Sequence, residues 1–593
     1  MSLHGGAQQA SYLSEHPYNT DTVLPGLLKR ILPDDTYREL TRDLVRLGNI
    51  LVDEIRPLAA LVQPPTLAQY DQHGQRADVV DTSHGRALFQ KFALQEGYNA
   101  VAYERRYGQH SRTYQFARTM VMTGDCHTIM CPMGMSDGGA RLIELHGTNT
   151  MKRELLPRVR SRDPLTACIA DQWISESAGG SDISLTQTRA VPTQRVDTDL
   201  GDPYLLNGIK WLTCAAEGNI AVALARTGDA PHGVHGLSLF IVPLRLAPHV
   251  ESAPLRNGVK IRSIKDKVGT RDVATAELEL HDTRGWLIGP LHEGPQCIPL
   301  MLNITRVHSA IHSVGSLQRC LAIARSYAGV RAIHGGKTLL KDVPIHVAGL
   351  ADIALLYRAL THLTFGVVAL LGKSECGTAS VQEESRLKLL LPTVKAYAAE
   401  HATGAMEQAM ASLGSVGYME ETGIGRLIRD AMVEKIWEGT YNMCSLDLLR
   451  TATKVPQSVA HFASWGSGIL SAVPIQLAQE AHSAIGALSS ALRSLPTYIQ
   501  DQARTRNPLL PRPLLDYFAI ISCALYLLEH ATWSCRNCEA TREVDVEAFR
   551  RWMERGDLAK AEGSIRALRG DSSRRVQMNS QLVFGPEAAV AKL

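Results

Sequence analysis

The feature that most constrains the fold is the order in which hydrophobic periodicity changes along the chain. From about Leu24 to Arg160, apolar residues recur at the three- and four-residue spacing of helices. Between Leu165 and about Pro290, short β-branched runs alternate with Gly, Asn, Asp and Pro turns, and the helical period returns beyond Ile298. This order predicts helices, then a β-domain, then helices.

The chain has 593 residues, more than one hydrophobic core usually supports, so several packed units are expected. We predict an α+β fold that is mainly α. The predicted units are an N-terminal helical domain over 1–164, a central β-domain over 165–290, a helical bundle over 291–452, a helical extension over 453–580 and a tail over 581–593. A proline-rich segment, 508–513, divides the helices of the extension.

Charge and hydropathy give no reason to expect nucleic acid or a membrane as the main partner. The 62 Lys and Arg residues are nearly balanced by 59 Asp and Glu residues. The region 455–593 carries 15 basic against 13 acidic residues, which leaves a charge of +2. The apolar run Phe518 to Leu528 is far shorter than the roughly 20 residues of a spanning helix, so no membrane span is expected.

The eleven cysteines follow no disulfide spacing, and the N-terminus lacks a secretory pattern, so we expect free thiols in a reducing compartment. Cys535 and Cys538 form a CxxC motif without a second pair. Because 531–555 has a helical pattern, we interpret them as neighbouring thiols on one helix, and no metal site is predicted.

The last three residues, Ala591, Lys592 and Leu593, form a small-basic-leucine triplet of the same chemical type as the Ser-Lys-Leu peroxisomal address. The triplet predicts a peroxisomal location and an import receptor as a partner. An accidental terminus, with a cytoplasmic location, is the alternative.

A glycine-rich loop follows the first predicted strand of the β-domain. Two adjacent glycines, Gly179 and Gly180, let the backbone approach a flat or phosphorylated ligand, and the hydroxyls of Ser175 and Ser181 flank them. Alone, this pattern also fits an ordinary turn.

A second motif lies on the predicted strand 208–213. At period two, Trp211 and Thr213 are expected on one face, where an aromatic wall and one hydroxyl suit a flat ring such as isoalloxazine. A half-buried core tryptophan is the alternative.

The third motif places Glu438 after Ile436 and Trp437 and before a Gly-Thr turn. Apolar neighbours would partly desolvate this carboxylate and raise its pKa toward the range of a general base. A solvated glutamate at a helix end remains the alternative from these residues alone.

Taken together, the motifs resemble those of the acyl-CoA dehydrogenase family of flavoproteins. The matching segments are Ser175-Glu176 with Gly180-Ser181-Asp182, Trp211-Leu212-Thr213, Tyr327 with Arg331 and His334-Gly335, Gly414-Ser415-Val416-Gly417-Tyr418, and Glu438-Gly439-Thr440. A closer similarity is to the AidB subfamily and its fungal relatives, through 63–74, 265–271, 438–450 and the helical extension.

The resemblance implies the acyl-CoA dehydrogenase fold with an added C-terminal extension. It also implies FAD between the β-domain and the following helical bundle. The cofactor-binding residues would be Ser175, Gly180, Ser181, Trp211, Thr213, Arg331, Gly414, Gly417, Thr440 and Asn442. Arg331 and the Gly414 to Gly417 loop would come from a neighbouring subunit, so a homodimer or homotetramer is implied.

For activity, the resemblance implies α,β-dehydrogenation of an acyl-CoA or a related activated acid, with Glu438 as the base. Its backbone N–H would help to bind the thioester oxygen. Some relatives take their base from a glutamate just before an arginine of the bundle's first helix, but here that position is Thr305, before Arg306. A peroxisomal location would favour reoxidation by oxygen.

Two alternatives remain open: an AidB-like protective or DNA-associated flavoprotein, and a flavin oxidase of a small metabolite not bound to CoA. The +2 charge of 455–593 is a poor footprint for phosphate binding, so DNA is not expected as a partner. Three departures from the family pattern stand out: Ser177 replaces a proline, His334 a phenylalanine and Ser415 a glycine. Ser415 would narrow the room for a dinucleotide unless its φ is negative.

Overall fold

The computed structural model describes residues 11–194, 200–214, 216–228, 233–245, 257–570 and 572–586. The predicted import triplet, Ala591 to Leu593, lies outside these residues. The described chain begins with helices and a short hairpin. These elements are α1 (Leu24–Ile31), α2 (Asp34–Ile50), β1 (Thr66–Tyr70), β2 (Arg76–Asp81), α3 (His84–Gln95), α4 (Ala100–Glu104), α5 (Ser111–Thr123), α6 (Met130–His146), α7 (Asn149–Glu154) and α8 (Leu156–Val159).

The β1–β2 hairpin corrects the expectation of a purely helical segment from Leu24 to Arg160. Asp71 forms the turn, because its Oδ1 accepts the backbone N–H groups of His73 and Gln75 at 2.8 and 2.9 Å. Gly74 follows with a φ of +74°. The amide of Gln69 donates to the Ile261 carbonyl at 3.0 Å, so the hairpin packs against the β-domain.

The β-domain is a closed sheet. Its strands are β3 (Ala170–Trp173), β4 (Arg189–Pro192), β5 (Pro203–Thr213), β6 (Ile220–Arg226), β7 (Leu237–Pro243), β8 (Val259–Ile264) and β9 (Ala276–Ile288). The pairing order β6, β4, β5, β9, β7 returns to β6, because β6 also pairs antiparallel with β7. β3 pairs with β6 outside this ring, and β8 pairs with β9. The β-domain is thus a small barrel.

Long helices form the next unit. Its elements are α9 (Gly294–Val330), β10 (Ala332–Ile333), β11 (Thr338–Leu339), α10 (Pro344–Glu375), α11 (Val381–Ser412), α12 (Ile424–Ala431) and α13 (Tyr441–Lys454). α9 is at the centre and packs against α5, α6, α10, α11 and α12. α9 is buried nearly all round, as expected for the central helix of a large core. The predicted order of helices, strands and helices is therefore confirmed.

In the described part of the C-terminal extension there are seven further helices. They are α14 (Pro456–Ser471), α15 (Ile475–Glu480), α16 (His482–Thr505), α17 (Pro511–Arg536), α18 (Arg542–Glu554), α19 (Asp557–Leu568) and α20 (Ser572–Phe584). The predicted proline-rich break begins after α16 and ends in the first turn of α17, which contains Pro511 and Pro513. The single helix expected over 531–555 is wrong, because α17 ends at Arg536 and Cys538 has a left-handed φ of +50°.

Two helices are long and apolar enough to cross a membrane by length and composition alone. They are α10 and α17, and 83% and 89% of their most apolar windows are buried inside the protein. Core helices of globular proteins pass the same test, so these two are weak indications of a span. Among the described residues, no group of three or more His, Cys, Asp and Glu side chains could hold a metal ion.

Candidate active site

Glu438 lies in the turn between α12 and α13, directly against α9. The Thr305 hydroxyl, on α9, donates to Glu438 Oε2 at 2.7 Å. Burial raises the pKa of Glu438, and the Thr305 hydrogen bond and the charges of Arg306 and Lys395 only partly oppose it. The direction is the one predicted from its apolar neighbours, although Ile436 itself is 64% exposed.

Backbone geometry and two basic side chains fix this turn. Glu438 has a left-handed φ of +57°, and Gly439 follows at +108°, a conformation that side-chain-bearing residues rarely adopt. Arg306 Nε donates to the Glu438 carbonyl at 3.0 Å, and Lys395 donates to the Gly439 carbonyl. Arg306 is itself held by Asp447 at 2.6 Å. The turn is therefore rigid before any ligand binds.

These contacts leave one backbone group free. Among the described residues, nothing accepts a hydrogen bond from the Glu438 N–H, while the carbonyls of Glu438 and Gly439 are both occupied. A rigidly held donor beside a carboxylate of raised pKa can bind an oxygen that becomes negative during a proton abstraction.

The predicted glycine-rich loop and the Trp211 strand come together. The Trp211 N–H donates to the Ser175 carbonyl at 3.0 Å. A Cβ added at Gly180 would lie 3.2 Å from Ser175 Oγ, so the missing side chain leaves space beside this hydroxyl. The Ser175 hydroxyl has no partner among the described residues. A free hydroxyl beside a glycine fits a bound cofactor. The Trp211 ring is contacted by Lys265, whose Nζ lies 4.0 Å from the ring centre.

A buried ion pair anchors the same loop. Lys210 is fully buried, and its Nζ donates to Glu176 Oε1 at 2.7 Å and to the Leu224 carbonyl at 2.6 Å. Glu176 also accepts from Thr188 Oγ1 at 2.6 Å and from the backbone of Gln187 at 2.7 Å. Burial opposes ionisation, but Lys210 and these donors lower the pKa of Glu176 overall. The loop is thus tied to the barrel by a charged, satisfied group.

The predicted common face of Trp211 and Thr213 is wrong. Lys210 pairs with Leu278 and Thr213 pairs with Ala276, so Trp211 and Leu212 together oppose one residue in a β-bulge. The bulge moves Thr213 to the side of Lys210, where it is buried and its hydroxyl donates to the Ala276 carbonyl at 3.0 Å. Contact of Thr213 with a cofactor stays a prediction.

Arg331 lies far from Glu438 in its own chain. It caps the C-terminal end of α9, 26 residues beyond Thr305, which corresponds to about 39 Å along a helix. Arg331 is exposed and faces no acidic partner among the described residues. The next residues, Ala332 to Ile333, enter a hairpin whose tip carries His334 at a φ of +52°, exposed rather than packed.

The Gly414 to Gly417 loop follows α11 and begins 19 residues beyond Lys395, which corresponds to about 28 Å along a helix. Gly414 is exposed with a φ of +64°, which suits the end of a helix. A Cβ at Gly417 would lie only 2.0 Å from the Met410 carbonyl, so this position needs glycine for packing. Ser415 is absent from the left-handed residues, so its side chain causes no backbone strain.

Thr440 and Asn442 begin α13. Thr440 Oγ1 accepts the Met443 N–H at 3.4 Å and caps the helix. Asn442 is exposed, and its Oδ1 accepts a hydrogen bond at 3.0 Å from Arg512 of α17. The Arg512 guanidinium also lies 4.7 Å from the Tyr441 ring centre. The extension therefore contacts the segment that follows the candidate base. Ser181, the last predicted residue, is exposed in the glycine-rich loop.

Three groups at this site were not found from the sequence. The sequence shows only that Thr305 stands where some relatives have a glutamate base. It does not predict the hydrogen bond of Thr305 to Glu438. Lys395 and Arg306 also escaped prediction, because their partners are backbone carbonyls far away in sequence. A lysine in the otherwise apolar stretch 389–399 was the one available signal for Lys395.

Comparison with known families covers most of the chain. Residues 292–452 match the acyl-CoA dehydrogenase C-terminal domain, 172–283 match the acyl-CoA dehydrogenase middle domain, and 8–163 match the adaptive response protein AidB N-terminal domain.

Individual relatives give the same assignment. Acyl-CoA dehydrogenase family member 11 of Caenorhabditis elegans is 31% identical and covers 99% of this chain and 94% of its own. The putative acyl-CoA dehydrogenase AidB of Escherichia coli is 28% identical over 67% of this chain and 70% of its own. The crystal structure of C. elegans ACDH-11 in complex with C11-CoA superposes with a TM-score of 0.89 and 30% identity, covering 99% of this chain and 98% of that one.

The barrel between two helical units, together with these matches, identifies the acyl-CoA dehydrogenase fold. The chain belongs to the acyl-CoA dehydrogenase family of FAD-dependent flavoproteins, in the group that carries an AidB N-terminal domain.

Proposed function

We propose that the protein catalyses the α,β-dehydrogenation of an acyl-CoA thioester, with Glu438 as the base. The observation that carries this proposal is the rigid turn, which joins a carboxylate of raised pKa to a free backbone N–H of the same residue. In this arrangement Glu438 removes the α-proton. Its own N–H stabilises the negative charge that develops on the thioester oxygen.

FAD, when bound, supplies the hydride acceptor for this chemistry. Ser175, Gly180 and Trp211 would hold its ring end, because the free Ser175 hydroxyl lies beside Gly180 and the Trp211 backbone is hydrogen-bonded to Ser175. Thr305 keeps the Glu438 carboxylate in place, and Arg306 and Lys395 keep its backbone from moving as the proton is transferred.

A neighbouring subunit is part of the proposal. Arg331 lies about 39 Å along α9 from Thr305, and the Gly414 to Gly417 loop lies about 28 Å along α11 from Lys395, so we assign neither to the cofactor site of its own chain. Gly414 and Ser415 are exposed, and Tyr418, which directly follows the loop, is 81% exposed. We therefore expect a homodimer or homotetramer in which these residues reach the cofactor of another chain.

An acyl-CoA of medium chain length is the first substrate to test. The support comes from the C. elegans relative, whose structure holds C11-CoA and whose length this chain nearly spans. Anaerobic mixing of the yellow protein with acyl-CoAs of graded length should bleach the visible band of the oxidised flavin. Failure of every member to bleach a protein with FAD bound would contradict the proposal.

Molecular oxygen as the final electron acceptor is a further part of the proposal. It rests on the predicted peroxisomal location, since the electron-transfer flavoprotein that serves most relatives is mitochondrial. Formation of one hydrogen peroxide per acyl-CoA consumed would support it, and turnover only with an added electron carrier would contradict it. The location is tested separately by deleting Ala591 to Leu593 and following import.

A further inference from the structure

A cleft of about 640 Å³ lies between the C-terminal extension and the first helix of the chain. Its walls come from α1, α14 and α17 and the ends of the last two helices, and none of its lining residues belongs to the candidate active site. Most of the lining is apolar and includes Trp465, Ile469 and Trp533. The volume is in the range of small-molecule sites, roughly 300–1,000 Å³. We call this feature the extension cleft.

The two tryptophans of the extension cleft are held by neighbouring side chains. The Arg386 guanidinium lies 4.5 Å from the Trp465 ring centre, and the Tyr526 ring centre lies 5.0 Å from it. Trp533 stacks on His530, with ring centres 5.3 Å apart and an angle of 28° between the ring planes. Both tryptophans are half-buried, so each keeps some accessible aromatic surface. The apolar walls of the cleft are therefore in place before any ligand binds.

Two buried polar groups in the lining have no hydrogen-bond partner among the described residues. The Arg30 side chain is 10% exposed, and its Nη1 donates to Glu529 Oε2 at 2.5 Å, but its Nε is unpartnered. Thr532 is 6% exposed, and its hydroxyl is also unpartnered. Burial of a polar group without a partner costs free energy, and nearly all such groups in proteins are hydrogen-bonded. A ligand that accepts hydrogen bonds from both groups would remove this cost.

The charges of the lining favour an anion. Arg536 stands at the exposed rim, where its Nη2 donates to the Ala472 carbonyl, and it forms no ion pair among the described residues. Together, Arg30 and Arg536 bring two guanidinium groups to the cleft, against the single carboxylate of Glu529. Glu529 is already paired with Arg30 through Nη1, so the Nε side of the same guanidinium is available to a second carboxylate.

We propose that the extension cleft binds an amphipathic monocarboxylate, a small molecule with an apolar body and one carboxylate. The body packs against Trp465 and Trp533, and the carboxylate accepts hydrogen bonds from Arg30 Nε and the Thr532 hydroxyl. A carboxylate has two oxygens, so one group satisfies both buried donors. An amine of the same length would instead bring a positive charge to a lining with an excess of positive charge. The proposal does not depend on the dehydrogenase activity.

Calorimetric titration of the full-length, FAD-bound protein with decanoate tests this proposal. At pH 8 the probe is fully ionised. We expect decanoate to bind with a Kd below about 1 mM and decylamine, which has the same body but a positive charge, to bind at least roughly ten-fold more weakly. Absence of decanoate binding at this concentration, or equal binding of the amine, would overturn the proposal.

Variants locate the binding. Arg30→Met combined with Thr532→Val removes both donors with little change of shape and should raise the Kd of decanoate roughly ten-fold or more.

A second pair of variants tests the cleft by filling it. Gly468 lines the cleft, and a Cβ added there meets nothing within 4 Å, so Gly468→Phe should block binding. Gly486 is also an exposed helical glycine of the extension with open space around its Cβ, but it lies outside the cleft, so Gly486→Phe should keep the wild-type Kd.

The two cleft variants change different features, so if the thermal midpoint shows that one is misfolded, the other decides. Wild-type affinity in a folded cleft variant would place the decanoate site elsewhere and overturn the proposal.

Discussion

Thr305 Oγ1 and Glu438 Oε2 lie 2.7 Å apart, with the hydroxyl of the central helix donating to the candidate base. Thr305 also approaches the carbonyls of Met301 and Leu302, at 3.3 and 3.4 Å, so its contact with the carboxylate is the shortest of the three. In some relatives a glutamate at the position of Thr305 is the base. In this chain Thr305 instead donates a hydrogen bond to the candidate base, Glu438. The pKa of Glu438 is therefore a balance between burial, which raises it, and this donor, which lowers it.

The first prediction concerns that balance. Thr305→Val removes the donor with little change of shape, so the Glu438 carboxylate loses a bond worth about 1.5–3 kcal/mol. Its pKa should then rise further, because the hydrogen bond that opposes the effect of burial is gone. Because the base acts in its ionised form, the acidic limb of the pH profile of kcat/KM for flavin reduction should move to higher pH. Thr305→Ser should keep the wild-type limb, and an unshifted profile in the valine variant would refute the role of Thr305.

The second prediction tests whether a site is shared between chains. Arg331→Glu should lose FAD, and Glu438→Gln should keep FAD but fail to bleach with substrate. A hetero-oligomer of the two variants, isolated through two different tags, contains one site with an intact Glu438 and a neighbour's intact Arg331. We expect bleaching only in this mixture. Equal inactivity of the mixture and the pure variants would place both residues in the site of a single chain.

The third prediction concerns the anchor of the glycine-rich loop. Lys210→Met leaves Glu176 buried without its cation, which should cost about 3–5 kcal/mol of folding free energy and release FAD. Adding Glu176→Gln should recover much of the loss, because the amide can still accept from Thr188. Lys260→Met, at an exposed pair with Glu279, should cost less than about 1 kcal/mol. The thermal midpoint and the flavin content after gel filtration measure these effects.

The fourth prediction separates two glycines at the end of α11. Gly417→Ala would bring a Cβ to 2.0 Å from the Met410 carbonyl and should destabilise the protein by roughly 1–3 kcal/mol. Gly404→Ala places a Cβ in open space inside α11, before the loop that contains Gly417, and should stabilise by roughly 0.5–1 kcal/mol. The thermal midpoint should fall in Gly417→Ala and rise in Gly404→Ala. A shift of the same sign in both variants would show that the backbone near the Met410 carbonyl can move to accept a Cβ at Gly417.

Much of the fold could be predicted from the sequence because periodicity reports directly on burial. The helical spacing of Leu40, Leu44 and Leu47 corresponds to three nearly fully buried side chains. The β-branched runs and turn residues of 165–290 then predicted a β-domain between the helical regions. The β1–β2 hairpin was missed because it lies within a helical stretch, and it depends on Asp71 and on docking against the barrel.

The site was only partly predictable, for a different physical reason. Motifs predicted Glu438, Ser175 and Trp211 as site residues, because a chemical role restricts the residue type at each position. The bulge at Leu212, with its φ of +54°, depends on the pairing of β5 with β9. Leucine is not a residue type that indicates a positive φ, so the sequence did not predict the bulge. Lys395 and Arg306 donate to backbone carbonyls. Because every residue has a carbonyl, no residue type in the sequence indicates which turn these two side chains contact.

The most direct test of Glu438 as the base is anaerobic stopped-flow reduction of the wild-type protein and Glu438→Gln by the best acyl-CoA of the chain-length series. Both proteins should contain equal FAD, and the oxidised flavin band should bleach in the wild type and persist in the glutamine variant. Equal rates of bleaching in the two proteins would contradict the assignment of Glu438 as the base.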